Sequence, residues 1–199
     1  MEVFSNKIVF MLNKPFRIAL LSVLALSLEA FYFPAYNYSV NGMLTFATPF
    51  DHKLSTAGFF HFFHSNLYAP HNFAEEASLE ALFHKARSFR YVREKRGDNW
   101  QSPEETERRA SGDCEDKALW LYSGLKEKGY MNVRLVVGKY KSFYSQFHVW
   151  VVYTDDDGDA FLLDPATQKR IFKTTDLASN FYTPVYSYDG ENRYKHLKI

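Results

Sequence analysis

Cys114, His148 and Asp164 are the residues whose types and order could do covalent chemistry. Cys114 is the only cysteine of the 199-residue chain and lies in "SGDCEDKALW", Ser111 to Trp120. Asp113 is a natural helix cap, and Cys114 opens a run whose apolar positions Ala118, Leu121, Tyr122 and Leu125 recur at helical spacing. At such a helix start the free N–H groups and the macrodipole favour a thiolate, the nucleophilic form. His148 opens the alternating run "HVWVVY", and Asp164 ends "AFLLDP". The turn-forming "DDDGD" (Asp155 to Asp159) lies between those two runs. Antiparallel strands joined by such a turn bring residues at their opposite sequence ends together. The order is nucleophile, base and orienting acid, the logic of a Cys-His-Asp triad.

The elements that must carry these residues read as follows. Glu75–Glu94 and Cys114–Lys128 have helical spacing, and Ser102 with Pro103 predicts a short helix to Ala110. Val133–Tyr140, His148–Tyr153 and Ala160–Pro165 read as three antiparallel strands. Helices followed by a meander predict an α+β fold, with the nucleophile helix packed on an antiparallel β-sheet. Residues 34–72 have no clean periodicity and read as loops, short strands and a short helix. Tyr182, Tyr186, Tyr188 and Tyr194 read as strand or surface residues.

Lys7, Lys14 and Arg17 precede the apolar "IALLSVLALSL" of Ile18–Leu28, the pattern of a signal peptide or membrane anchor over residues 1–30. The domain then runs over 31–199, with 31–73 as an aromatic-rich extension. Export to the periplasm or exterior, with membrane association only through the first segment, follows from that pattern. A lone cysteine excludes an intramolecular disulfide and any multi-cysteine zinc site. A net charge of +1 with no basic run argues against nucleic acid as a partner. His61, His64 and His71 lack a joining acidic cluster and read as an aromatic loop, not a metal site.

"GDCEDKALWLYSGLKEKG", "FHVWVVY" and "LLDPAT", with "NWQSPEET" upstream, resemble the bacterial transglutaminase-like cysteine proteinases of the transglutaminase-like superfamily. The resemblance covers about Tyr91 to Phe172. It implies a papain-like core, Cys114 as nucleophile, His148 as base and Asp164 as its orienter. The implied activity is hydrolysis of amide bonds in proteins or peptides. Transamidation or acyl transfer, and a non-catalytic binding or scaffold module of the cell envelope, remain alternatives. Trp100 is a candidate to shape the acyl site, and Gln101 a candidate second oxyanion donor.

Asp113, Glu115 and Asp116 crowd the thiol. One carboxylate about 8 Å from a thiolate opposes it by roughly 2 kcal/mol at an effective dielectric of about 20. The helix start returns only about 0.3–2 kcal/mol. Protonated His148 or a calcium ion held by Asp113, Glu115 and Asp116 would offset the acids, and the family resemblance implies calcium dependence through them. The chemistry itself requires no cofactor.

Overall fold

The computed structural model describes residues 42–60, 78–94, 99–141, 146–177, 181–190 and 192–197. The first-segment signal and the His61, His64 and His71 reading lie outside these residues. No helix among the described residues is long and apolar enough to cross a membrane.

The architecture follows from one helix that is buried along nearly its whole length. Helix α4 (Cys114–Glu127) has every residue from Cys114 to Leu125 buried. It needs cover on several sides. The antiparallel strands β4 (Val133–Tyr140) and β5 (His148–Thr154) supply one face through Val133, Leu135, Val137, Val149 and Val151. Helices α2 (Leu79–Ser88) and α3 (Pro103–Arg109) pack on it elsewhere. Ser102 caps α3 by accepting the Glu105 N–H at 3.2 Å, and Pro103 occupies the first turn, as the sequence predicts.

β4 and β5 are central in a seven-stranded antiparallel sheet of order β1–β9–β8–β4–β5–β6–β7. Its other members are β1 (Gly42–Thr45), β6 (Ala160–Leu163), β7 (Phe172–Lys173), β8 (Tyr182–Asp189) and β9 (Asn192–His196). The three-strand meander forms where the alternation places it, and "DDDGD" is its turn, with Gly158 at φ +84. β8 inserts beside β4, and Tyr182 and Tyr188 are buried there. The sheet's second face holds a smaller core of Val136, Trp150, Val152, Leu162 and Tyr182. Short helix α1 (Asp51–Thr56) lies in the aromatic-rich stretch and buries Leu54.

Two boundaries differ from the sequence expectation. The helix expected over Glu75–Glu94 is α2, which ends at Ser88. Phe89 turns extended and packs edge-on against Trp120, with ring centroids 5.0 Å apart. Arg90–Tyr91 then forms β2, parallel to β3 (Ser111–Gly112), so long-range pairing overrides helical periodicity. The third meander strand stops at Leu163 because Asp164 bends the chain, its Oδ1 accepting the N–H groups of Ala166 and Thr167.

Gly138 pairs with His148 across β4–β5 and sits at the register shift between β4 and β8. A Cβ there would lie 2.2 Å from the Thr183 carbonyl oxygen and 2.6 Å from the Trp150 ring. Backbone cannot yield as a flexible side chain can. Gly138→Ala is therefore expected to destabilise the fold by about 1–3 kcal/mol, the usual cost of overpacking. Urea denaturation checks this, and an unchanged midpoint would refute the close approach.

Candidate active site

The setting of Cys114 is built by Asp116. Its Oδ2 accepts the Asp113 N–H at 3.2 Å, the reverse half of a capping box. It also accepts the Gln101 side-chain amide at 2.7 Å, while Oδ1 accepts the Gln101 backbone N–H at 2.8 Å. Burial raises the Asp116 carboxyl to about 6. Gly112 makes room for it, since a Cβ there would meet the Asp116 Cβ at 2.5 Å. Asp116 thus ties the helix start to the segment carrying Trp100. Lys117, also buried, donates to the carbonyls of Arg87 and Phe89 at 3.1 and 3.0 Å, tying α4 to the end of α2. Burial lowers the Lys117 pKa.

Cys114 and His148 line one cleft of about 580 Å³, together with Asp113, Glu115 and Trp100. His148 Nε2 lies 2.7 Å from Asp164 Oδ2. Asp164 is fully buried, and its carboxyl stays below its ordinary value: His148 is the foremost group favouring the charged form, against the opposing pull of burial. With Asp164 ionised, Nε2 carries the proton, which leaves Nδ1 as the imidazole's acceptor. The His148 ring stacks on Trp150 at 6.1 Å and meets Tyr140 at 5.4 Å. The sheet register explains the pairing. Val151 faces Leu163 on β6, so Asp164 falls beside the start of β5, where His148 sits.

The thiol differs from the expectation. A helix start favours the thiolate, yet burial pushes the Cys114 thiol up, and the Glu115 charge pushes it further. Cys114 Sγ donates to Glu115 Oε2 at 2.9 Å. Burial, then Asp113, raises Glu115 to about 8, and burial also raises Asp113. Desolvating two neighbouring acids costs more than the helix dipole returns, so the pair holds on to a proton.

The remaining sequence-predicted residues divide. Trp100 lines the cleft, is 6% exposed, and its Nε1 has no acceptor among the described residues. The side-chain amide of Gln101 donates to Asp116, and Gln101 is not among the residues lining the cleft. Asp113 and Glu115 border the cleft, and Asp113 Oδ1 is buried without a donor. Asp116 accepts from Gln101 and from the Asp113 N–H at the helix start. Among the described residues no group of three or more His, Cys, Asp or Glu side chains is arranged to hold a metal ion.

Sequence reasoning missed several wall residues. Phe50 comes from the segment before α1 and contacts Trp100 and Phe147, with centroids 6.0 and 5.1 Å apart. Tyr91, Arg93 and Gln146 complete the rim, and Arg93 donates to Gln146 at 2.6 Å. No local signal marks them, because they converge only through β2 and the approach to β5.

No protein-family model matches the chain, and no curated protein does. Solved structures do. The calcium-bound form of LapG from Legionella pneumophila aligns at 25% identity with a TM-score of 0.51, over 59% of this chain and 66% of that one. The EGTA-treated form aligns at 24% identity with a TM-score of 0.53, over 60% and 66%. The match therefore spans just under two thirds of the Legionella protein. The helix that Cys114 opens, packed on an antiparallel sheet, is a transglutaminase-like, papain-like α+β core.

Proposed function

We propose that the protein is an exported thiol hydrolase acting on amide bonds of proteins or peptides. The observation that carries this reading is the meeting of Cys114 with the His148–Asp164 pair in one cleft. Fold alone would not carry it, since one fold hosts many activities. Substrate amide enters the cleft, and His148 Nδ1 takes the thiol proton. Sulfur attacks the carbonyl carbon, and the π electrons move onto oxygen. The Cys114 N–H and Trp100 Nε1 are the donors for that oxyanion. His148 returns its proton to the leaving amine as the C–N bond breaks. Water, deprotonated by His148, then splits the thioester and restores the thiol.

For this to run, Cys114 must leave Glu115. Asp113 and Glu115 suit a hard divalent cation: burial and their mutual repulsion disfavour the charge of each, and Asp113 Oδ1 lacks a donor. Calcium is the ion proposed, supported by the calcium-bound LapG structure. What it would supply is neutralisation of the two acids beside the thiol.

A second reading, a non-catalytic envelope module, has one observation in its favour. Cys114 is 8% exposed and its proton is held by Glu115. The open cleft onto the same sulfur favours the enzyme.

Incubating cell-envelope proteins with wild type is expected to create new amino termini detectable by mass spectrometry, absent with Cys114→Ala. His148→Ala should lose nearly all of them. Asp164→Asn should keep a measurable residue, because the acid only orients the base. Equal cleavage by all four proteins would overturn the reading.

Calorimetry on metal-free protein should register calcium binding in the millimolar range or tighter. Asp113→Asn with Glu115→Gln should abolish it. Absence of binding heat in wild type would leave these acids as structural groups only.

Export rests on the basic and apolar stretches before Glu29. Residues 1–35 fused to a reporter active only outside the cytoplasm should switch it on, whereas a silent reporter would contradict export.

A further inference from the structure

Cys114, His148 and Asp164 leave unexplained what stands behind the acid. Three donors converge on Asp164 Oδ2: His148 Nε2 at 2.7 Å, the Tyr182 hydroxyl at 2.7 Å, and the Thr167 hydroxyl. The backbone N–H groups of Ala166 and Thr167 fill Oδ1. Tyr182 is 1% exposed and lies at the start of β8, across from Tyr140 in the register of β4. Its hydroxyl oxygen accepts the Gln168 side-chain amide at 2.8 Å. An amide N–H can only donate, so that contact turns the phenolic proton away from Gln168, toward Asp164 Oδ2 at 2.7 Å and the Thr167 hydroxyl at 3.1 Å, of which the carboxylate is the nearer and stronger acceptor. Burial, and next the Asp164 charge, push the phenol well above its ordinary value, so the hydroxyl remains a donor.

The Tyr182 ring serves the other partner. It packs at 5.0 Å from Tyr140 and 5.2 Å from Trp150, the two rings that border the His148 imidazole. One side chain therefore touches both the acid and the aromatic walls of the base. We propose that Tyr182 is a positioning residue whose hydroxyl holds Asp164 Oδ2 in line with His148 Nε2–H, and so keeps Nδ1 turned to the cleft. This rests on the triad reading above. Gln168 acts behind it, its backbone N–H also donating to the Asp164 carbonyl at 3.0 Å. A purely structural role, satisfying a buried carboxylate, would change stability and leave the imidazole untouched.

Tyr182→Phe keeps the ring and removes only the hydroxyl. Two readouts need no substrate. The first is solvent exchange of the His148 Nε2–H proton by NMR, its resonance identified by its loss in His148→Ala. The second is the rate of Cys114 alkylation by iodoacetamide at one fixed neutral pH. Exchange is expected to be about tenfold faster in Tyr182→Phe, and alkylation slower by about the same factor, the scale of one hydrogen bond to a charged group. Gln168→Ala should move both in the same direction by less, and it replaces Tyr182→Phe if that variant does not fold. Exchange and alkylation both within twofold of wild type would overturn the proposal. His148→Ala separates the two levels. If it alkylates as wild type does, the triad reading falls and the proposal with it. If it is slow while Tyr182→Phe matches wild type, only the role of Tyr182 falls.

Discussion

A carboxylate buried without any solvent contact is the constraint on which the rest of the site depends. Asp164 can stay charged there only if donors replace the water it lost. The chain provides them from three directions: His148 on β5, the turn directly after Asp164, and the hydroxyl that β8 brings in. The order of the sheet follows the same demand. β8 must lie beside β4 for Tyr182 to reach Asp164, and β6 must lie beside β5 for Asp164 to reach His148. Breaking a buried, hydrogen-bonded charge costs several times what an exposed pair is worth, so these strands are coupled through the acid as well as through their ladders.

The other end of the cleft is governed by the opposite imbalance. Asp113 and Glu115 are buried close together with no cation of the protein beside them among the described salt bridges, and each is pushed toward its neutral form. Glu115 consequently takes the thiol as a donor. Asp116, only one residue further on, is raised less, to about 6, because Gln101 and the helix start meet it with three N–H groups. Neighbouring acids in one short motif thus do different physical work. One caps the helix, and two are pushed toward their neutral forms beside the thiol.

The walls of the cleft come from parts of the chain that share no motif. Phe50 and Trp100 stack on each other and line the cleft with Cys114, and Asp116 holds the segment of Trp100 in place through Gln101. Lys117 binds the end of α2 to α4, and the chain that leaves α2 becomes β2 with Tyr91 on the rim. The segments of Trp100 and Tyr91 are therefore both tied to the first turns of α4.

The amino-acid sequence by itself determined the helix from Cys114, the three meander strands, the DDDGD turn and the pairing of His148 with Asp164. These depend on local periodicity, capping and a short antiparallel connection, all of which are written within a few residues of each other. It also singled out Trp100, which lines the cleft. Only the tertiary structure decided that Gln101 serves Asp116, that Asp116 caps, that Phe50 and Tyr91 wall the cleft, and that Tyr182 stands behind the acid. The end of α2 at Ser88 belongs with these, since a parallel pairing with β3 ended it. The state of the thiol was decided there too. Spacing places a cysteine at a helix start, but burial beside Glu115 sets the cost of ionising it, and burial is a property of the packed chain rather than of any stretch of it.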